Sequence, residues 1–224
     1  MSDSIFFRDE SIVEDILAWS KQKRDTESNW YLFDKVLYDL CKQYPRHNNP
    51  HEIVAKIALI GRAYSASVER RRNAKTQRDH DFYYEYIAPL IIDSDLDVRL
   101  DALRQYKTPT PDNLPEILAT HLYLQELLKK AAEMDKRSFS SKYLHFHCPN
   151  LFYIYDAYSK DKMNEIVKHK GRWCIPSDSD REYAMYCQKS LFVQQQILPD
   201  SENAPRIIDS FLQTQSRVPL SIKN

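Results

Sequence analysis

Glycine is nearly missing from this chain: Gly61 and Gly171 are the two in 224 residues, where average usage of about 7% would place roughly 16. So little glycine leaves few sites for left-handed turns and tight hairpins, and it excludes a glycine-rich phosphate loop or a dinucleotide-binding fingerprint. A β-sandwich or barrel, with its many tight turns, fits poorly for the same reason. Net charge is absent too, 32 basic residues standing against 32 acidic ones. A global electrostatic grip on nucleic acid is thereby excluded, and any such contact must come from a local patch. Cysteine is sparse and scattered, at positions 41, 148, 174 and 187, without the paired spacing of a zinc ribbon or the density of a secreted disulfide scaffold. No run approaches 18 apolar residues, and the first ten residues lack a charged-then-apolar leader pattern. The expectation is a cytoplasmic protein with reduced thiols and no membrane segment.

What is present points to helices. Apolar residues recur at helical spacing over 11–23, 28–43, 50–72, 82–92, 95–106, 116–134, 138–147, 156–170, 180–198 and 205–215. The clearest start is Asn49-Pro50-His51-Glu52: a capping side chain, a proline whose missing N–H costs nothing at the first helical position, and a glutamate three residues after the cap. Pro89 interrupts the aromatic stretch 82–92 and is expected to kink or end that helix. The segment 108–115, Thr-Pro-Thr-Pro-Asn-rich with a final Pro115, reads as a hinge or linker. The fold expected is all-α, two helical lobes around a cleft, 1–107 and 108–224, sharing one core.

Three stretches could carry chemistry. Glu69 to Arg78 holds Arg70, Arg71, Arg72, Lys75 and Arg78. Expected at a helix C-terminus, this run either offsets the negative end of the macrodipole or forms a phosphate-binding patch. Tyr143-Leu-His145-Phe-His147-Cys148 invites a metal reading, but positions i and i+2 on a helix point about 200° apart and no further ligand pair exists, so structural histidines are expected and no metal. The third stretch runs from Ser138 to Tyr158. Lys142 lies there in an apolar helix among Phe139, Tyr143, Leu144 and Phe146, and Asp156 stands where the next helix should begin, as an N-cap. An amine held against apolar surface loses its ammonium form more easily and can act as a nucleophile; the same lysine could also simply lay its stem over the core.

The run Ser138 to Tyr158 resembles the catalytic segment of the helix-hairpin-helix DNA glycosylases of the endonuclease III, alkyladenine and 8-oxoguanine type. Lys142 matches the lysine near the start of the helix after the hairpin in lyase-active members, and Ile154-Tyr155-Asp156 matches the phrase that carries the aspartate at the next helix start. About 20 residues match in detail, and the surrounding helices in kind. Where the family's hairpin has a glycine turn, this chain has Met134-Asp135-Lys136-Arg137-Ser138, and it has no iron–sulfur cysteine cluster. The resemblance implies a cofactor-free, monomeric DNA glycosylase with Lys142 and Asp156 as catalytic residues. DNA phosphates would be held by Lys136, Arg137, Ser138 and the basic run from Arg70, and the extruded base by aromatics such as Tyr64, Tyr83 and Tyr84. Damaged bases are one substrate class; another is modified bases in phage DNA, such as glucosylated cytosines, removed in bacterial defence. The alternative is a non-catalytic helical DNA-binding or protein-interaction module on the same scaffold.

Overall fold

A computed structural model describes residues 5–21, 29–70, 82–132 and 134–214. Among these the chain is mostly helical. In chain order the helices are α1 (Ser11–Lys21), α2 (Asn29–Gln43), α3 (Pro50–Ala63), a π-helical turn (Phe82–Ile87), α4 (Ala88–Ile92), α5 (Leu96–Leu103), α6 (Leu114–Lys129), α7 (Arg137–His147), α8 (Ala157–Ile166), α9 (Arg181–Ile197) and α10 (Ala204–Thr214). None of the described helices is long and apolar enough to cross a membrane.

The boundaries follow local chemistry. Asn49 caps α3, its side chain accepting from the His51 N–H at 2.9 Å, with Pro50 in the first turn. Asp180 caps α9 in the same way, accepting from Tyr183 N–H at 2.8 Å. Several expectations are corrected. The helix expected over 50–72 stops at Ala63, because Ser65 adopts a left-handed φ of 53° and turns the chain away. Arg70 is therefore seven residues past the helix end and cannot offset its dipole, which acts over the last turn; Arg71, Arg72, Lys75 and Arg78 lie outside the described residues. The helix expected over 156–170 ends at Ile166, and β2 (Val167–His169) pairs antiparallel with β1 (Ile5–Phe7), Phe6 opposite Lys168. Finally, the proline-rich stretch 108–115 is a tied turn: Thr110 N–H donates to Asn113 Oδ1 at 2.8 Å, and Asn113 Nδ2 to the Thr108 carbonyl at 3.0 Å. Pro89 neither breaks nor ends a helix, since it sits in the first turn of α4, where no intrahelical N–H is needed.

Two clusters of buried side chains fill the interior. The first gathers Leu37, Ile53, Ile57, Leu100, Leu124 and Leu144 from α2, α3, α5, α6 and α7. The second gathers Ile16, Met163, Tyr183, Ile208 and Leu212 from α1, α8, α9 and α10. α6 serves both, Ile117 and Leu124 facing the first and Leu114 and Leu118 the second. Chain order and core membership differ, for Ile16 near the beginning packs with the last helices, while Phe139 and Leu144 of α7 pack with the early ones.

α7 is the element most enclosed by others. Its residues from Phe139 to Phe146 are all buried, including Ser140, Ser141, Lys142 and His145. Burial on every side makes partners for those polar groups valuable; among the described residues Ser141, Lys142 and His145 have them and Ser140 Oγ has none. His145 Nδ1 lies 2.9 Å from the Phe152 carbonyl, so it must carry the proton, which leaves Nε2 to accept from Tyr38 Oη at 2.6 Å. Burial pushes the His145 imidazole down to about 3, and that of His121 on α6, stacked on Tyr183, down to about 4. Both are held neutral in the fold, while the unfolded chain protonates them near pH 6.5. Their contribution is therefore complete above about pH 6.5 and lost as pH falls toward 4, at about 1.4 kcal/mol per group per pH unit. Urea unfolding followed by circular dichroism should show midpoints dropping steadily over that window, and His121→Phe should flatten the slope.

Candidate active site

The segment between α7 and α8 explains how the site is assembled. Residues 152–155 belong to neither a helix nor a strand, so their carbonyls must find donors elsewhere, and they find them on side chains. Phe152 O takes His145 Nδ1, Tyr153 O takes the Tyr183 hydroxyl at 2.9 Å, and Ile154 O takes the Tyr186 hydroxyl at 2.8 Å. Tyr155 O takes the Lys142 ammonium at 2.9 Å and the Ser141 hydroxyl at 3.2 Å, and the Tyr155 N–H returns a bond to Ser141 Oγ at 3.1 Å. Each partner comes from α7 or α9. The segment thus runs between two helices that hold it by side chains alone, and this delivers the next residue, Asp156, to the start of α8.

Asp156 caps that helix, its Oδ1 accepting from Ser159 N–H at 2.8 Å. Its second oxygen lies 3.5 Å from Lys142 Nζ and 3.4 Å from Gln213 Nε2. The expected pair is therefore brought together. Lys142 is 3% exposed and also donates to Ser138 Oγ at 2.9 Å, whereas the Asp156 side chain is 30% exposed. The carboxylate is the open edge of the pair and the amine its closed floor. Burial pulls Lys142 below the ordinary lysine range, against the upward pull of Asp156 and Asp209, while Arg206 adds to the fall.

The other expected residues disperse. Lys136 is 4% exposed and donates to the carbonyls of Arg70 at 2.6 Å and Ser67 at 3.3 Å. Arg137 forks onto Asp180, at 2.6 and 2.8 Å, and reaches Glu182 at 3.3 Å. Both cations expected on DNA phosphates are thus spent on internal partners. Ser138 serves Lys142. Tyr64 donates to Asp34 and packs on Phe146, Tyr83 packs edge-on against Phe82, and Tyr84 packs edge-on against His51. A cleft of about 560 Å³ opens between Tyr38, Cys41, Phe146, Pro149 and Arg206. Phe146 is four residues after Lys142, yet neither Lys142 nor Asp156 lines this cleft. Among the described residues no group of three or more metal-type side chains converges.

Sequence reasoning missed Asp34, Ser159, Arg206, Asp209 and Gln213. Arg206 donates to Asp209 at 2.8 Å and to Asp34, and Gln213 Nε2 also reaches Ser159 Oγ at 3.0 Å. One signal existed. Asp209 falls four residues after Pro205 and three before Leu212, inside the apolar stripe of its helix, where an unpaired acid is costly.

No family model, no curated protein and no solved structure matches this chain. What the site can do follows from its own geometry: a desolvated amine from the middle of α7 and a half-open carboxylate at the start of α8 offer one nucleophile and one anionic stabiliser to a small electrophilic centre.

The Arg137–Asp180 clamp holds α7 to the first turn of α9, and two substitutions separate its parts. Asp180→Asn keeps an N-cap oxygen but removes the charge, whereas Asp180→Ala removes both. Urea unfolding at pH 7 should place the alanine variant about 1 kcal/mol below the asparagine variant, the usual worth of a cap. Equal stabilities would mean that the cap contributes nothing.

Proposed function

We propose that the chain is a DNA N-glycosylase, acting through Lys142 and Asp156. The observation that carries this reading is the 3.5 Å approach of Lys142 Nζ, from the middle of α7, to Asp156 Oδ2 at the start of α8, with the carboxylate at the open side. An all-α frame enclosing that pair is what the resemblance of the run Ser138 to Tyr158 to the helix-hairpin-helix glycosylases would require.

A target nucleotide leaves the stack, at a cost of a few kcal/mol, and its sugar faces the pair. As the C1′–N bond to the base breaks, its electrons depart with the base and positive charge develops on the sugar, which the Asp156 carboxylate stabilises. The Lys142 ammonium gives one proton to the departing base, and the freed amine forms the new C1′–N bond; a second proton then passes from that nitrogen by way of Asp156 to O4′ as the C1′–O4′ bond breaks, which leaves a ring-opened, protonated Schiff base. Reaching the sugar requires Lys142 to leave the Tyr155 carbonyl and swing along Asp156. Modified or damaged bases are the substrate class, including modified cytosines of phage DNA. DNA backbone contact falls to Arg70 and the basic run that follows it.

A second reading is a binding module without catalysis. It is favoured by the three acceptors around Lys142 and by the internal engagement of Lys136 and Arg137. Borohydride trapping on abasic-site DNA separates the two. A covalent adduct in the native protein that disappears in Lys142→Met supports the enzyme, and absence of any adduct, with DNA still bound, supports the module. Asp156→Asn, which can keep the helix cap, should abolish release of free base from modified phage DNA while leaving affinity within about twofold. Full release by that variant would remove Asp156 from the mechanism. Changing Arg70, Arg71 and Arg72 together to Ala should reduce the slope of log K against log salt by about three, near 0.9 per phosphate contact. An unchanged slope would place the phosphate grip elsewhere.

A further inference from the structure

The face that α10 turns toward the amine–carboxylate pair is polar where its neighbours are apolar. Arg206, Asp209 and Gln213 follow one another at i, i+3 and i+7, so they share one side of the helix. Asp209 is 5% exposed and held at both oxygens: Oδ2 accepts from Arg206 at 2.8 Å and Oδ1 from Ser159 Oγ at 3.4 Å. Ser159 is also the residue whose N–H fixes Asp156, and Gln213 bridges Ser159 Oγ to Asp156 Oδ2. An unbroken line of contacts therefore runs from Asp34 on α2 through Arg206, Asp209 and Ser159 to the Asp156 carboxylate.

A buried ion pair is a poor source of stability compared with apolar side chains of the same volume. Tying α10 to α8 would be served as well by a leucine. We propose that Asp209 is a positioning residue of the Lys142–Asp156 pair: it steadies Asp156 through Ser159 and, with Arg206, supplies the fixed charges that face Lys142. This deepens the glycosylase reading and rests on it for one of the two readouts below.

The charges around Lys142 come from every element packed on it. Asp156 faces it from the start of α8 and Asp209 and Arg206 from α10, while His145 on its own helix is held neutral. Asp34 acts from α2 through Arg206, and Tyr186 on α9, itself neutral, faces Asp156 and Asp209. Burial drives the ammonium down, Asp156 and Asp209 oppose that, and Arg206 assists it. Arg206 stays charged because, despite burial, Asp209 and Asp34 hold its proton. Burial raises the Asp209 carboxyl, and Arg206 and Lys142 restrain the rise. Neutralising Asp209 therefore removes one of the two acids that keep the Lys142 proton and unmasks Arg206, so the Lys142 titration must move to lower pH.

The test compares the native protein with Asp209→Asn. Lys142 is titrated in the absence of DNA by NMR of ¹³C-labelled lysine side chains, its signal assigned through Lys142→Arg, and the pH profile of borohydride trapping on abasic-site DNA is recorded beside it. The Lys142 midpoint should fall by about one pH unit or more, the usual effect of one neighbouring charge, and the acidic limb of the trapping profile should shift with it. A folded Asp209→Asn protein whose midpoint stays in place overturns the proposal, since a merely structural role lowers the trapping plateau or the unfolding temperature without moving the limb. Should the native protein give no adduct, the glycosylase reading falls and the NMR midpoint still decides the role of Asp209. Should Asp209→Asn not fold, Ser159→Ala removes the Oγ contact with Asp209 while keeping the N–H that holds Asp156 and every charge. With Asp156 less steadied, the Lys142 midpoint should fall by about 0.3 pH unit or more, and a midpoint that stays in place would overturn the proposal.

Discussion

The constraint from which the arrangement follows is that an ammonium has been carried into a helix buried on all sides. Such a group is costly unless every donor is used and an opposite charge is near. Lys142 meets both demands from three directions, a hydroxyl one turn back on α7, the Tyr155 carbonyl, and the Asp156 carboxylate. Those partners in turn fix where the chain between α7 and α8 must run. The segment 152–155 cannot drift without costing an ammonium, a histidine and two tyrosine hydroxyls one partner each. The cost of burying one amine is thereby spread over a shell of contacts that brings the start of α8 against the middle of α7.

The same economy of charge explains the dispersal of the expected DNA contacts. With net charge zero and few glycine turns, cations near the core are drawn to carboxylates and carbonyls within reach. Arg137 finds Asp180 and Glu182, which joins α7 to α9, and Lys136 finds the carbonyls left open where the chain turns after α3.

Legibility from sequence divided along the range of the forces involved. Caps and helical periodicity act within one or two turns, so Asn49, Asp156 and Asp180 could be placed as helix starts and α9 nearly end to end. The π-helical turn before Pro89 and the strand Val167–His169 could not, because the first depends on how aromatics pack and the second on a partner about 160 residues away. At the site, Lys142 and Asp156 were legible because the spacing between them is short. Arg206 and Asp209 were not, for their meaning depends on α10 lying against α8, although an acid in an apolar stripe was visible and unexplained.

The amino-acid order alone determined that this chain is helical, that it holds no glycine-built phosphate loop, and that Lys142 lies within one helix while Asp156 begins the next; local sterics and capping suffice for all of that. Only the tertiary structure decided which cations are spent internally, how far the amine is shut from water, and that a buried acid from the last described helix completes the cluster. Those outcomes depend on desolvation and on contacts between distant segments, which no local pattern carries.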